Sequence, residues 1–257
     1  MNTSGAPVAI VTGGGTGIGY ATAEALVGQG WTTVIAGRRA DLLWDAAERL
    51  RDAAVDGAEV AAVPTDISVE SSVRDLVAST VESFGRINAL VSNAGILDVR
   101  PFAEMTPDAW RTMFDVVVTG AALASMAVVP HMRAQGQGRI VLVGSVSGII
   151  SDAGLPHYSA AKAALHSLAR GLTVDLALDG IVANAVAPGW IRTPMNDVFI
   201  DDVDAGFMRR LNPLSRAADP AEVAEVIRYL VSEAPAFLAG TTIPIDGGQS
   251  AMNHYYG

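Results

Sequence analysis

The sequence predicts a single α/β domain, residues 1–257, built on a doubly wound parallel sheet of about seven strands with helices on both faces. Short runs rich in β-branched residues alternate with longer helical patterns. Strands buried on both faces of a parallel sheet have this continuous apolar character. Half of the residues are apolar, enough for a large core. No linker or low-complexity tract interrupts the alternation, which favours one domain.

The predicted strands follow one another along the whole chain. They are VAIVT (8–12), TTVIAG (32–37), EVAAVPTD (59–66), NALVSNAG (88–95), RIVLVGS (139–145), IVANAVAPG (181–189) and TTIPIDGG (241–248). Two of the intervening helices have clear start signals, Thr106-Pro107 and Asp219-Pro220. Each pairs a capping side chain with a proline at the first helical position.

A glycine cluster, TGGGTGIG at 12–19, connects the first strand to the first helix. Glycines at such a turn let the backbone approach a pyrophosphate, and the helix N-terminus supplies free N–H groups. The alternative is a tight turn without a ligand. The position between strand and helix favours a nucleotide, with these expected contacts: Gly13, Thr16, Gly17, Ile18 and Gly19.

The second strand ends in Gly37, Arg38 and Arg39, where dinucleotide enzymes often carry an acid for the ribose 2′-hydroxyl. Two guanidiniums instead suit a 2′-phosphate, because they offer charge-assisted, bidentate donors. The alternative is that both are solvated surface charges. We expect NADP(H) as the cofactor, with NAD(H) less favoured.

The ends of the third and fourth strands provide further cofactor candidates. Asp66, followed by Ile67, is placed to meet an adenine, and the small residues of Asn93-Ala94-Gly95 would let the backbone lie against a ribose. Taken singly, each is equally a turn signal.

Ser145, Tyr158 and Lys162 are the candidate chemical residues. Ser145 ends the fifth strand, and Tyr158 and Lys162 are one helical turn apart in PHYSAAKAAL. The ends of parallel strands meet at one rim, so the three side chains are expected to converge. Alone, the serine would be a loop hydroxyl and the other two an exposed helical pair.

Composition excludes several other classes of site and partner. The chain has no cysteine, so disulfides, thiolate chemistry and cysteine-ligated metals are excluded. The four histidines lack metal-binding spacing; we expect no metal and assign them structural roles. The net charge of −10 argues against nucleic acids and anionic membranes. No signal peptide is evident, and the apolar stretch 116–129 is shorter than the roughly 20 residues of a membrane span. The expectation is a cytoplasmic protein with a small-molecule substrate.

With the glycine motif, Asn93-Ala94-Gly95, Ser145, Tyr158-x-x-x-Lys162 and Pro188-Gly189 in this order, the chain resembles the short-chain dehydrogenase/reductase family over essentially its whole length. The general likeness is to 3-oxoacyl-carrier-protein reductases and bacterial alcohol or sugar dehydrogenases. The resemblance implies a Rossmann-like seven-stranded sheet, usually in a homotetramer, and hydride transfer between nicotinamide and a ketone or secondary alcohol. The alternative is a catalytically weak nucleotide-binding or regulatory homologue.

The resemblance also implies roles for individual residues. Tyr158 would exchange a proton with the substrate oxygen, and Ser145 would hydrogen-bond that oxygen. Lys162 would hold the nicotinamide ribose and, with the positive nicotinamide, lower the pKa of the phenol from about 10. The segment expected to hold the nicotinamide and its carboxamide contains Pro188, Gly189, Ile191 and Thr193.

The chain departs from the family pattern at three positions. Val117 stands where similar enzymes carry an asparagine whose backbone carbonyl positions a water for proton relay; a β-branched residue also favours a regular helix over an opened one. We therefore expect a working enzyme with a perturbed relay. Asp179 stands where carrier-protein reductases carry a basic residue, which favours a free small-molecule substrate. Thr16 stands where many NADP-dependent relatives carry a second basic residue.

The substrate pocket and the assembly are the least defined features. Residues 194–215, which mix apolar and acidic side chains, are predicted to form a lid, with a solvated insertion as the alternative. Ser147, Ile149, Leu155 and Trp190 are expected in the pocket walls. The C-terminal strand, its two following tyrosines and the long helices after Thr106 and Pro156 are expected to form the tetramer interfaces.

Overall fold

The computed structural model, which describes residues 5–55, 57–196 and 205–252, contains the predicted parallel sheet. Its seven strands lie in the order β3-β2-β1-β4-β5-β6-β7, and all six strand pairs are parallel. The strands are β1 (Val8–Thr12), β2 (Thr32–Gly37), β3 (Val60–Pro64), β4 (Ala89–Ser92), β5 (Gly138–Val143), β6 (Ile181–Pro188) and β7 (Thr242–Ile245). The predicted fold class and the seven strand positions are confirmed.

Helices cover both faces of the sheet. They are α1 (Gly17–Val27), α2 (Ala40–Ala53), α3 (Glu70–Phe84), α4 (Pro107–Phe114), α5 (Gly120–Gln135), α6 (Pro156–Leu176), α7 (Ala205–Leu211) and α8 (Pro220–Ser232). On one face, α3, α5 and α6 form a core with the sheet; on the other, α1 packs with α2 and with α8. Every residue of β1 and β6 is buried, which explains their uninterrupted apolar character.

The helix starts predicted from Thr106 and Asp219 are present. The Thr106 hydroxyl accepts a hydrogen bond from the Ala109 amide at 3.1 Å, and Pro107 is the first residue of α4. Asp219 and Glu222 form a reciprocal capping box at the start of α8. These side chains satisfy amide groups that the first turn of a helix leaves without partners.

The helical segment Pro107–Gln135 runs longer than the sequence suggested. At 29 residues it is long and apolar enough to cross a membrane by length and composition, although the apolar stretch 116–129 was expected to be too short. The difference arises because neither Gly120 nor Pro130 ends the helix. Its buried face, which includes Met113, Ala124 and Val128, packs into the domain core. We interpret it as a core helix of the α/β domain.

Candidate active site

A cleft of about 740 Å³ lies at the carboxyl ends of the strands. It spans the point between β1 and β4 where the strand order reverses, the usual ligand site of open α/β sheets. Of the residues singled out as catalytic or cofactor-binding, all except Gly19 line it: Gly13, Thr16, Gly17, Ile18, Arg38, Arg39, Asp66, Ile67, Asn93, Ala94, Gly95, Ser145, Tyr158, Lys162, Pro188, Gly189, Ile191 and Thr193.

The glycine loop brings backbone, without side chains, to the cleft floor. Gly13 and Gly17 have φ values of +67° and +55°, a conformation that favours glycine. Gly19 lies underneath, where an added Cβ would overlap the carbonyl of Gly13. Gly19 was expected to contact the cofactor but does not line the cleft; this glycine is needed for the close approach of α1 to the loop at Gly13.

Thr12 and Asn93 join the ends of the two central strands. The Thr12 hydroxyl accepts hydrogen bonds from the amides of Asn93 and Ala94, both at 3.0 Å. The Asn93 side chain donates to the carbonyls of Thr12 and Gly13 at 3.0 and 3.2 Å. Asn93 thus holds the glycine loop as well as lining the cleft. Sequence reasoning did not assign this role to Thr12, although it is the first residue of the glycine motif.

Charged side chains line the end of the cleft beside β2 and β3. Arg38 and Arg39 are exposed and border the cleft. The Asp66 carboxylate accepts hydrogen bonds from the Ser68 hydroxyl at 2.6 Å and the Ser68 amide at 3.0 Å. These bonds, with a smaller contribution from the Arg38 charge, hold the pKa of Asp66 below its usual value. Asp66 is therefore ionised at neutral pH.

Lys162 reaches the cleft from the core side of α6. Its side chain is buried, and its Nζ donates to the Val143 carbonyl at 2.8 Å. Burial lowers the pKa of Lys162 to about 8, so the amine is mostly protonated at pH 7. A Cβ added at Gly95 would lie 3.7 Å from Nζ, which shows how closely the backbone after β4 approaches this charge.

The protein's own groups raise the pKa of Tyr158, whereas the expectation drawn from the resemblance combined Lys162 with the positive nicotinamide. Burial raises the pKa of the phenol, hydrogen bonding with the Ser145 side chain lowers it, and the Asp152 charge raises it. Lys162 was expected to lower this pKa, but its Nζ lies 5.6 Å from the ring centroid and bonds to Val143 instead. The net direction is upward because burial is the largest influence, so Tyr158 is protonated at neutral pH.

The segment after β6 closes the opposite wall of the cleft. Thr193 lies against the glycine loop: a Cβ added at Gly17 would lie 3.0 Å from the Thr193 Cγ2. Gly189 packs on Asp246, whose Cα would lie 2.9 Å from a Cβ added at Gly189. The close packing on both sides fixes the separation between this segment and the glycine loop.

The expected substrate-pocket walls are only partly those observed. Ser147, Ile149, Leu155 and Trp190 do not line the cleft; instead its remaining walls include Ile96, Leu97, Val116, Pro194, Met195 and Asn196. The Ser147 hydroxyl donates to Asp152 at 2.7 Å, and Trp190 lines a second cavity of about 270 Å³. Of the expected lid, residues 197–204 lie outside the described residues. The side chains that face the cleft are determined by how the loops pack, and this packing cannot be predicted from the spacing of residues in the sequence.

The helix segment around Val117 corrects a further expectation. Residues Asp115–Thr119 form a π-helical turn in which the Gly120 amide bonds to the Asp115 carbonyl. Val117 was expected to favour a regular helix, yet the opened turn is present with valine in it. Tertiary packing decides here, because Gly120 lies so close to the chain after β3 that an added Cβ would be 2.9 Å from Ile67. Val116 faces the cleft and Val117 the core.

The cleft fits a dinucleotide on the geometry of its own residues. The glycine loop and the start of α1 offer backbone N–H groups for a pyrophosphate, and two guanidiniums border the far end. Within the described ranges, no group of three or more histidine, aspartate or glutamate side chains is placed to hold a metal ion.

Comparisons with known proteins agree with this architecture. A family model described as enoyl-(acyl carrier protein) reductase matches residues 13–250. The chain is 41% identical to a cis-4-hydroxycyclohexanecarboxylate dehydrogenase of Sinomonas cyclohexanicum, over 95% of this chain and 97% of the relative. It is 35% identical to a 3-oxoacyl-[acyl-carrier-protein] reductase of Synechocystis sp., over 96% of this chain and 98% of the relative. The structure of L-sorbose reductase from Gluconobacter frateurii, complexed with NADPH and L-sorbose, superposes with a TM-score of 0.90 at 29% identity, over 97% of this chain and 98% of that one.

Proposed function

Because the chain belongs to the short-chain dehydrogenase/reductase family of oxidoreductases, we propose that it interconverts a ketone and a secondary alcohol with NADP(H). The observation that carries this proposal is the presence of Ser145, Tyr158 and Lys162 on one wall of a cleft whose other end is lined by the glycine loop. These residues supply an acid, a hydrogen-bond donor and a cation beside a dinucleotide-sized site.

The proposed chemistry divides between cofactor and protein. When bound, NADP(H) supplies or accepts the hydride. In the reducing direction Tyr158 donates its phenolic proton to the substrate oxygen, and in the oxidising direction it takes that proton back. The raised pKa of Tyr158 suits the reducing direction, because the phenol carries its proton at neutral pH. Ser145 would hydrogen-bond the same oxygen, and Lys162 would hold the nicotinamide ribose.

The arginines support NADP(H) over NAD(H). Arg38 and Arg39 border the cleft where the backbone of Gly37 presents no carboxylate. A 2′-phosphate would gain charge-assisted hydrogen bonds there, and a 2′-hydroxyl would find no carboxylate at the end of β2.

A direct assay tests the proposal. We expect the purified protein to oxidise NADPH in the presence of ketones, and the panel should include substituted cyclohexanones, linear β-ketoesters and diketones. The name of the Sinomonas relative, a dehydrogenase of a hydroxycyclohexane, places cyclic ketones first. Inactivity toward the whole panel at high enzyme concentration would instead support the alternative of a nucleotide-binding or regulatory homologue.

We expect a free small molecule to be the substrate, as opposed to a carrier-bound one. An acidic carrier protein would need basic side chains beside the site, and Arg133 is a candidate, but its guanidinium pairs with Asp179 at 2.7 Å. In this ion pair Asp179 neutralises the positive charge of Arg133, which an acidic carrier protein would otherwise recognise. We predict similar kcat/KM values for an acyl-carrier β-keto substrate and its free thioester analogue, measured by NADPH oxidation. Strong preference for the carrier-bound form would overturn this assignment.

We expect Val117→Asn to leave turnover nearly unchanged and to lower the free energy of unfolding. The π-helical turn is present with valine, so a backbone carbonyl that positions a water in this turn does not depend on an asparagine. Val117 is 1% exposed in the core, where a buried amide without partners costs about 1–3 kcal/mol. We expect a lower denaturation midpoint with turnover and pH–rate profile unchanged. A large rise in turnover at unchanged NADP affinity would show that valine impairs the relay.

We propose a cytoplasmic homotetramer. Apolar side chains remain exposed on the helical face, including Met126 on α5 and Val174 on α6, and Leu178 follows α6. The edge strand β7 has an open side in the described chain, and Phe237 near it is fully exposed. A contiguous patch of such groups is typical of a protein–protein interface, and the proposed tetramer would bury them together.

Light scattering at micromolar concentration should give the mass of a tetramer. We further expect Val174→Glu to reduce the mass, because burying a carboxylate in an apolar interface is costly. Arg74→Glu, an exposed charge change on α3, is the matched control and should keep the tetramer. A monomeric mass for the unmodified protein would refute the proposed assembly.

A further inference from the structure

His166 is a buried side chain that the proposed chemistry does not use. It lies on α6 one turn after Lys162 and is 5% exposed. Its Nε2 is buried and has no hydrogen-bond partner. Such a nitrogen is costly to bury, so the ring is not retained for a complete polar network. The role of His166 must therefore depend on the groups that its ring contacts.

The ring lies against the turn that carries Ser145. A Cβ added at Gly144 would be 2.6 Å from the His166 Cδ2, and one added at Gly148 would be 2.8 Å from its Cε1. Neither glycine has a positive φ, so both are required by close neighbours. At Gly144 the nearest neighbour is the ring, and at Gly148 it is the α6 backbone, whose Ala163 nitrogen would lie 2.7 Å from an added Cβ, together with the ring. The imidazole therefore fills the volume on the core side of both ends of the turn 144–148.

The turn has several hydrogen bonds, and the Gly144 amide ties its start to the Val186 carbonyl of β6 at 2.8 Å. Within it, the Gly148 amide bonds to the Ser145 carbonyl at 2.9 Å, and the Ser147 amide bonds to the Ser145 hydroxyl at 3.1 Å. Both bonds are local, so they shape the turn without fixing its distance from α6. Contact with the His166 ring, together with the close approach of Gly148 to the α6 backbone, sets that distance, and α6 also carries Tyr158 and Lys162.

The ring performs this role without adding charge. Burial, and then the charges of Lys162 and Arg170, lower the pKa of His166 to about 4, while a hydrogen bond with the Gly148 backbone raises it. At neutral pH the imidazole is uncharged and does not repel the Lys162 ammonium.

We propose that His166 is a positioning residue that sets the location of Ser145 relative to Tyr158 by filling the space beneath the turn 144–148. The inference rests on the proposed function, in which Ser145 binds the substrate oxygen. A misplacement of about 1 Å at such a group can cost on the order of 100-fold in rate.

The first test is catalytic. We expect His166→Ala to lower kcat for ketone reduction by about 10- to 100-fold. NADPH affinity should be unchanged, because Lys162 remains bonded to Val143, outside the turn. Leu165→Ala is the matched control: it truncates an adjacent core residue of α6 and should lower stability while leaving kcat unchanged. Equal kcat values for the two variants would overturn the proposal.

A paired substitution makes the test specific. Gly144→Ala alone should be impaired, since its methyl group would overlap the His166 ring. In the double variant Gly144→Ala/His166→Ala that overlap is gone, so kcat should exceed that of Gly144→Ala. No recovery would contradict the proposed contact. If His166→Ala does not fold, His166→Gln, which keeps a planar polar group, takes its place.

Amide hydrogen exchange separates this inference from the proposed function. In His166→Ala the Gly148 and Ile149 amides should exchange faster than in the unmodified protein, with little change in β5, whereas Leu165→Ala should show no such local effect. This readout requires no substrate. If the unmodified protein reduces no ketone, the proposed function fails, and the exchange data still decide whether His166 holds the turn.

Discussion

Replacing Tyr158 with phenylalanine should reduce the rate of ketone reduction by about 10³-fold, the middle of the range of about 10²–10⁴ for loss of a general acid. The substitution removes one hydroxyl from a half-buried ring and leaves the ring packed against the core. Lys162 remains bonded to the Val143 carbonyl, so the cofactor end of the cleft is unaffected. The measurement is steady-state NADPH oxidation with the best ketone of the panel, together with an NADPH fluorescence titration.

The matched control is Tyr229→Phe. Tyr229 lies on α8, is partly exposed and does not line the cleft. The same chemical change there should leave both turnover and NADPH affinity unaltered. If Tyr158→Phe retains more than about a tenth of the activity, proton transfer by Tyr158 is not the source of the rate, since general acid catalysis is worth at least about 100-fold.

Introducing a carboxylate at Gly37 should reverse the cofactor preference. An aspartate would accept a hydrogen bond from a ribose 2′-hydroxyl and repel a 2′-phosphate. A Cβ added at Gly37 meets nothing nearer than Leu43 at 3.8 Å, so the fold accepts the side chain. We expect the ratio of kcat/KM for NADP to that for NAD to fall by about 100-fold or more, since each charge-assisted hydrogen bond is worth roughly 1.5–3 kcal/mol.

Arg38→Asp should shift the ratio in the same direction, because it removes a cation from the cleft wall and adds an anion. Arg49→Asp is the control of equal charge change: Arg49 stacks on the Tyr20 ring, and neither residue borders the cleft. Tighter binding of NAD than NADP by the unmodified protein would contradict the assignment of the arginines. Raised salt should weaken NADP binding more than NAD binding, because exposed charges are screened.

The alternation of apolar runs and helical patterns was sufficient to predict the parallel sheet. A strand buried on both faces, such as β6, admits almost only apolar residues, so its position can be read from composition. The candidate site was predictable for a related reason. Parallel strands end at one rim, so Gly13, Asn93 and Ser145 had to come near one another once the strands were identified.

Other features depended on contacts between distant segments. The opened turn around Val117 follows from the close approach of Gly120 to Ile67, against the local preference of a β-branched residue. The pairing of Arg133 with Asp179 joins residues 46 positions apart.

By itself the sequence determined the fold class, the strand positions and the rim at which the glycine loop and the Ser145, Tyr158 and Lys162 side chains meet, since these depend on local periodicity and strand direction. Only the tertiary structure decided that Gly19 packs beneath the loop, that burial raises the Tyr158 pKa and that His166 lies under the Ser145 turn. The physical reason is that volume, desolvation and the distance between charges are set jointly by segments far apart in the chain.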